Sequence, residues 1–309
     1  MAITQFSQPK LYEICSMKYF CLPNEDTHLF SSRNITKSLI FYYLGRNYYP
    51  FYLMQEIPNC IATFESVTLK QLDSVELQNR IDTKYILTKE QLLHLLDGIK
   101  DSQYVLEIAN NRVFNYQTVY FDTADFRFYY DHHNGCVNRV KVRSREYIES
   151  HLCFYEIKRK LYGTRTDKQR KRISEIYHEV PGEDYDLIQY KRLEGKPIEK
   201  KLTNYFKRIT LTNRNFSERI TIDLEIRFDN GKQQIELPNL VVIEVKQGKT
   251  DVFSQTIQVL KKLRIHQSSF SKYAIGVSLL EPDVKHNNFK SILLKINKIN
   301  KHAEHRAYS

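Results

Sequence analysis

The sequence has no tryptophan, only nine glycines and five cysteines in 309 residues, and no run of 18 apolar side chains. The best candidate for a membrane-spanning helix, Leu39 to Met54, is broken by Arg46, Asn47 and Pro50, so no such span is expected. The basic segment, apolar run and small-residue cleavage site of a secretory leader are also missing. Cys15, Cys21, Cys60, Cys136 and Cys153 are odd in number and lack metal-ligand spacing. Free thiols in a reducing cytoplasm are the expectation. Gly248-Lys249-Thr250 ends like a nucleotide-binding P-loop, but the earlier glycine that such a loop needs falls at Ile243, inside a strand pattern. No internal repeat or low-complexity linker divides the chain, and one main domain is expected.

What the chain has in excess is positive charge, 47 Lys and Arg against 36 Asp and Glu, a formal net charge of +11. Such a balance suits an anionic partner. It is unevenly placed: residues 1–66 hold five basic and five acidic side chains, so the whole excess lies downstream. Residues 1–53 carry 12 of the 39 Phe and Tyr residues without a clean strand or helix period. This segment reads as an N-terminal extension over 1–65. A translation start at Met54 is favoured over a partner-binding extension.

From Phe64 onward the pattern alternates between strands and helices. Ser66 to Leu72 reads as a short helix, Leu77 to Leu87 as a strand, and Thr88-Lys-Glu-Gln91 has capping-box spacing before a leucine-rich helix. Strands are expected at about 115–121, 137–147, 152–160 and 166–174, with an aromatic helix at 125–132. The Tyr162-Gly163 pair reads as a hairpin turn. A polar helical stretch is expected over 183–207. Strands follow at 208–213, 218–229 and 232–246, with a turn at Asp229-Asn-Gly231. Helices at 252–263 and 271–280 come next, and 284–309 reads as a solvated basic tail.

Side chains two apart on a strand share a face. By that rule Arg80, Asp82 and Lys84 lie together, as do Arg139, Lys141, Arg143 and Arg145. Glu156, Lys158 and Lys160 form a third set; Lys168, Arg170 and Arg172 a fourth. Arg219, Thr221, Asp223, Glu225 and Arg227 oppose Ile220, Ile222, Leu224 and Ile226, and Glu244 and Lys246 oppose Val241, Ile243 and Val245. One charged strand face in water is ordinary. Rows of like charge on adjacent strands repel unless anions sit among them. Closing the sheet with its charged side inward would make an electropositive lumen suited to a polyanion and a divalent cation. His132-His133 reads as a polar helix end, and Glu156, Asp223 and Glu225 as partners for neighbouring Arg and Lys.

The segments Asn79-Arg-Ile-Asp-Thr-Lys-Tyr85, Val119-Tyr-Phe-Asp122, Asn138 to Tyr147, Tyr155-Glu-Ile-Lys158, Arg219 to Leu224, Val242-Ile-Glu-Val-Lys246 and Phe270-Ser-Lys-Tyr273 resemble, in order, the VTC domain. That domain is the polyphosphate-polymerase domain of the vacuolar transporter chaperone complex, related to the CYTH proteins. The resemblance implies an α+β fold: an antiparallel β-barrel, the triphosphate tunnel, with a charged lumen and helices packed outside, over 66–283. It implies that Lys84, Arg143 and Lys158 act in catalysis. It places Arg80, Lys141, Arg145, Arg214, Arg219, Lys246 and Lys272 on phosphate, and Glu244 on Mn²⁺ or Mg²⁺. One departure is Ser269, where the eukaryotic pattern has a lysine.

The implied activity is metal-dependent polyphosphate polymerisation from ATP. A tunnel-type inorganic or nucleoside triphosphatase and a non-catalytic polyphosphate-binding module are the alternatives, because the same groups serve whether a chain end, water or nothing attacks. ATP and polyphosphate are the expected partners, with a membrane-associated protein as a further candidate. Nucleic acid is not expected, since acids interleave with the basic residues and no stacking aromatics recur at regular spacing.

Overall fold

The computed structural model describes residues 56–73, 81–161, 165–193, 195–248, 251 and 253–306. Arg80, the Tyr162-Gly163 turn and residues 1–53 lie outside the described residues. The strands are β1 (Glu65–Val67), β2 (Ile81–Thr88), β3 (Gln103–Leu106), β4 (Phe114–Thr123), β5 (Arg139–Tyr147), β6 (Leu152–Leu161), β7 (Arg165–Ile173), β8 (Ile198–Asn213), β9 (Glu218–Asp229), β10 (Gln234–Leu237) and β11 (Leu240–Gln247). Besides a helical segment over 56–62, the helices are α1 (Leu69–Asp73), α2 (Lys89–Ile99), α3 (Arg127–His133), α4 (Gly182–Tyr185), α5 (Gln255–Lys262), α6 (Lys272–Leu280) and α7 (Lys290–Arg306).

The strands form one sheet in the order β2-β11-β9-β8-β4-β5-β6-β7, antiparallel throughout this path. β10 pairs antiparallel with the C-terminal end of β9, beyond the part that pairs with β11, and β1 pairs with β3 in parallel. The sheet is curled, so that side chains from β2 and β11 at one end line the same cavity as those from β5, β6 and β7 at the other. Among the described residues the two end strands, β2 and β7, are not hydrogen-bonded to each other. The barrel is therefore incomplete at that seam.

Alternation decides which side chains enter the cavity. On β11, Val241, Ile243 and Val245 join one apolar cluster with Leu92, Leu95 and Leu96 of α2, on the outer face. Leu240 and Val242, on the other face with Glu244, join a second cluster with Tyr273, Ala274 and Val277 of α6. The inner face is thus divided: part is charged, and part is apolar and covered by α6. Gly276 permits the close approach, because a Cβ there would lie 2.5 Å from Leu202 Cδ2 and 2.8 Å from Phe228 Cδ1.

Thr88 begins α2 with both halves of a capping box: its Oγ1 accepts from Gln91 N at 3.1 Å, and Gln91 Oε1 accepts from Thr88 N at 3.0 Å. Three other expectations change. The stretch 183–207 is helical only in α4 and in short turns at 186–188 and 191–193; from Ile198 it is the first half of β8. This strand pairs with β4 on one side and β9 on the other, so tertiary pairing overrides its polar local pattern. The region 232–246 is two strands, β10 and β11, separated at Pro238 and Asn239. The supposed solvated tail contains α7, whose Ile292, Ile296 and Ile299 recur at helical spacing and are buried against the α6 cluster.

The expected strict alternation along β9 also breaks. Glu225 has φ 50° at an irregularity between β8 and β9, and beyond it Ile226 and Phe228 join the α6 cluster rather than the outer one. A bulge of this kind re-aims a strand. Here it separates the charged inner stretch from the apolar one.

Candidate functional site

A cavity of about 570 Å³ opens on the inner face, with Lys84, Lys141, Lys158 and Glu244 among its lining residues. Glu244 is opposite Lys84 in the β11–β2 register, two residues from Lys246. Its carboxylate lies 3.7 Å from Lys84 Nζ and 3.4 Å from Lys246 Nζ. Burial alone would raise the Glu244 carboxyl, but Lys246 and Lys84 outweigh it, with help from Arg208 and Lys272, and hold it at about 2.

The loop before α6 ties the two ends of the sheet together. Lys84 Nζ donates to the Phe270 carbonyl at 3.0 Å, and Lys141 Nζ donates to Ser271 Oγ at 2.8 Å. Ser271 is the N-cap of α6, accepting from Ala274 N, so the N-terminus of this nine-residue helix lies beside the cationic strands. Lys141 is pushed well below an ordinary lysine by burial and then by Lys84, Lys158 and Arg143.

Further along the lumen Arg143 pairs with Glu156 at 2.7 Å, and Arg170 approaches the same carboxylate at 3.5 Å. Burial raises and Arg143 and Arg145 lower the Glu156 carboxyl, leaving it at about 2. Arg145 donates to Thr118 Oγ1 at 3.1 Å and lies against Tyr116 and Phe206. Arg208 forks onto Asp223 at 2.6 and 2.9 Å, and Lys272 pairs with the same carboxylate. Burial holds Lys272 down at about 8 in spite of Asp223.

The fold therefore brings together Lys84, Lys141, Arg143, Arg145, Lys158, Glu244, Lys246 and Lys272. Arg219 lies at the end of the same face, opposite Lys246, and donates to the Leu72 carbonyl at 2.6 Å. Arg214 is not in this group. The turn between β8 and β9 carries it to the exterior, where it makes a two-pronged pair with Glu65 at 2.7 and 2.8 Å and lies over Tyr104. The sequence reading misses Arg208, although a signal for it exists. The 213–218 hairpin sets Thr212 opposite Arg219, and counting back along that ladder sets Arg208 opposite Asp223.

His133, expected at a polar helix end, is buried and hydrogen-bonded around Asn134 and Asn288. Asp122 of the Val119-Tyr-Phe-Asp122 segment is a joint: its carboxylate accepts from Thr123 N, Phe128 N, Tyr129 N and Tyr273 Oη, linking β4, α3 and α6. It thereby fixes the helix that presents Lys272. Glu156 and Asp223 each serve arginines, as expected, and Glu225 pairs with Lys207 at 2.8 Å. Among the described residues no group of three or more His, Cys, Asp or Glu side chains could hold a metal ion by itself. Cys60, Cys136 and Cys153 are free thiols, and no described helix is long and apolar enough to cross a membrane.

The inner face gathers Lys84, Lys141, Arg143, Lys158 and Glu244 from the motifs singled out above, and the VTC domain matches residues 79–281, about two thirds of the chain. The chain belongs to the VTC-domain family. Among solved structures it is similar to a putative adenylate cyclase from Vibrio parahaemolyticus, at 13% identity and a TM-score of 0.37, covering 65% of this chain and 98% of that one. A Hippeastrum protein described as a putative adenylyl cyclase with a dominant triphosphatase activity matches at 16% identity and a TM-score of 0.38, covering 64% and 95%. An RNA triphosphatase of S. pombe matches at 10% identity and a TM-score of 0.26, covering 79% and 90%. A comparison with curated proteins finds no match.

Proposed function

We propose that this VTC-domain protein is a metal-dependent polyphosphate polymerase that moves the γ-phosphate of ATP onto a growing chain inside its cationic lumen. The observation that carries the reading is the excess of cations on one face: Lys84, Arg139, Lys141, Lys158 and Lys160 line one cavity with only two carboxylates, Asp82 and Glu244, and Arg143 and Arg145 continue the row along β5. So much like charge in one cavity is stable only with anions among it. A chain of phosphates supplies them at regular intervals.

Phosphoryl transfer asks a protein for charge neutralisation and in-line positioning. Arg143 and Arg145 offer forked donors to phosphate oxygens, while Lys84, Lys141, Lys158 and Lys272 act as point charges. All of them except Lys272, which begins α6, are held on strands of the sheet. Glu244 fits Mg²⁺ or Mn²⁺ of the kind held by one carboxylate together with phosphate oxygens and water. Such an ion, when bound, polarises the transferred phosphoryl group. The two lysines beside Glu244 would then turn from its carboxylate to the substrate.

One observation favours triphosphate hydrolysis as a second reading. Ser269 lines the cavity where a lysine stands in the eukaryotic pattern, which leaves one cation fewer to retain a product chain. Incubation of the full chain with ATP and Mn²⁺, resolving ADP, free phosphate and polymer, tests both. ADP with long-chain polyphosphate is the result expected; free phosphate without polymer would move the protein to the triphosphatases. Glu244→Gln is expected to lower turnover by roughly 10²-fold while tripolyphosphate binding persists. Unchanged turnover would remove the metal assignment.

A further inference from the structure

One wall of the cavity is aromatic and apolar, which a chain of phosphates does not require. His132, at the end of α3, and Phe289, in the turn before α7, stack with ring centroids 5.7 Å apart and planes inclined by 27°. Phe270, Ala274 and Ile275 line the same cavity. Arg139, Lys141 and Lys84 line the same cavity and are the cations whose charge His132 feels most.

The His132 ring is polar but unsatisfied, since its Nδ1 is buried and has no hydrogen-bond partner among the described residues. Burial, followed by Lys141, Arg139, Lys84 and His133, holds the ring neutral down to a pKa of about 3. A neutral imidazole in such a field is a weak phosphate ligand. It is a good stacking surface with a spare hydrogen-bonding atom.

Resting on the tunnel reading above, we propose that this wall is a base-binding subsite. The base of a nucleoside triphosphate lies against the Phe289 and His132 pair, and its phosphates run inward past Lys141 toward Arg143. The cavity, at about 570 Å³, is of the size that small-molecule sites have. The strand geometry supplies the direction. Arg139, Lys141, Arg143 and Arg145 succeed one another on one face of β5, so the phosphate path begins where the aromatic wall ends. The subsite would make a nucleotide, rather than an inorganic polyphosphate, the preferred donor.

Calorimetric titration of the full chain with ATP and with inorganic tripolyphosphate separates the two parts of the site. Phe289 also packs on Tyr129 and His133, so Phe289→Leu, which keeps apolar bulk, is the test variant, with Phe289→Tyr as the ring-retaining control. Phe289→Leu is expected to weaken ATP about fivefold or more and to leave tripolyphosphate within about twofold, with Phe289→Tyr close to wild type. His132→Ala is expected to show the same split. Equal losses for both ligands, or no loss for ATP, would overturn the subsite while the phosphate tunnel stands. A wild-type protein that binds neither ligand would overturn both.

Discussion

Lys272 shows how one residue can couple the lumen to pH. Burial holds it at about 8, below the ordinary lysine value, with Asp223 as its ion-pair partner. Between about 8 and the ordinary lysine value the unfolded chain binds a proton that the folded chain has released. Folding stability contributed by this group therefore rises with pH through that window, and below about 8 it is charged in both states. Phosphate needs the charged form, so tripolyphosphate affinity is expected to fall as pH rises through about 8. Titrations from pH 7 to 9.5 should show that fall blunted in Lys272→Arg relative to wild type; identical profiles would remove Lys272 from the binding set.

Asp223 is the complementary case. It is buried and holds both Arg208 and Lys272, so Asp223→Asn leaves two largely buried cations without the carboxylate they share. Loss of one member of a buried ionic group costs about 3–5 kcal/mol, and thermal or denaturant unfolding should register it. Tripolyphosphate should restore more stability to this variant than to wild type, because it brings the missing negative charge. Equal ligand-induced shifts in the two proteins would place the phosphates away from Arg208 and Lys272.

At the scale of the element, α6 decides where the lumen ends. It lies on the inner face, with Gly276 against Leu202 and Phe228, which are completely buried, and with Tyr273 hydrogen-bonded to Asp122. Ala is the better helix former, yet at this position its methyl group meets side chains with nowhere to go. Gly276→Ala is expected to destabilise by about 1–3 kcal/mol and to weaken tripolyphosphate binding by displacing Lys272. Unchanged stability and affinity would mean that α6 is free to shift without consequence.

Much of this arrangement was legible at the same scale. The two-residue period on 139–145, 156–160 and 241–246 placed Lys141, Arg143, Lys158 and Glu244 on the inner face, because each strand has one apolar side that fixes its orientation. The first half of β8 was not legible. It is central, buried on both sides in part, and irregular opposite Glu225, so neither helical nor strand periodicity survives in Ile198 to Lys207. Arg208 opens the strand expected at 208–213, and it was missed because its partnership with Asp223 shows only in the β8–β9 register. Arg214 was legible only as part of a motif, and a motif does not show that a hairpin turn carries the residue to Glu65 on the exterior.

At the scale of the whole molecule, the positive excess has a location. Basic residues on β2, β5, β6, β7, β8 and β11 converge because the sheet curls, and Lys158 on β6 feels Asp82 and Glu244 on the strands at the other end of the sheet. The +11 charge is thus more than a surface property. Helices α2 and α5 cover the outer face near β2 and β11, α6 fills the apolar part of the inner one, and α7 backs α6 with its isoleucines. What remains open is the charged stretch that starts at Arg139 and Lys141, and the proposed function requires phosphate to occupy it.

A crystal structure of the full chain with tripolyphosphate tests that requirement most directly. The phosphates are expected inside the curled sheet, with oxygens within hydrogen-bond distance of Lys84, Lys141, Arg143 and Arg145. Phosphates confined to the outer surface, such as the lysines of α7, with Lys84 and Lys246 still paired to Glu244, would contradict the account.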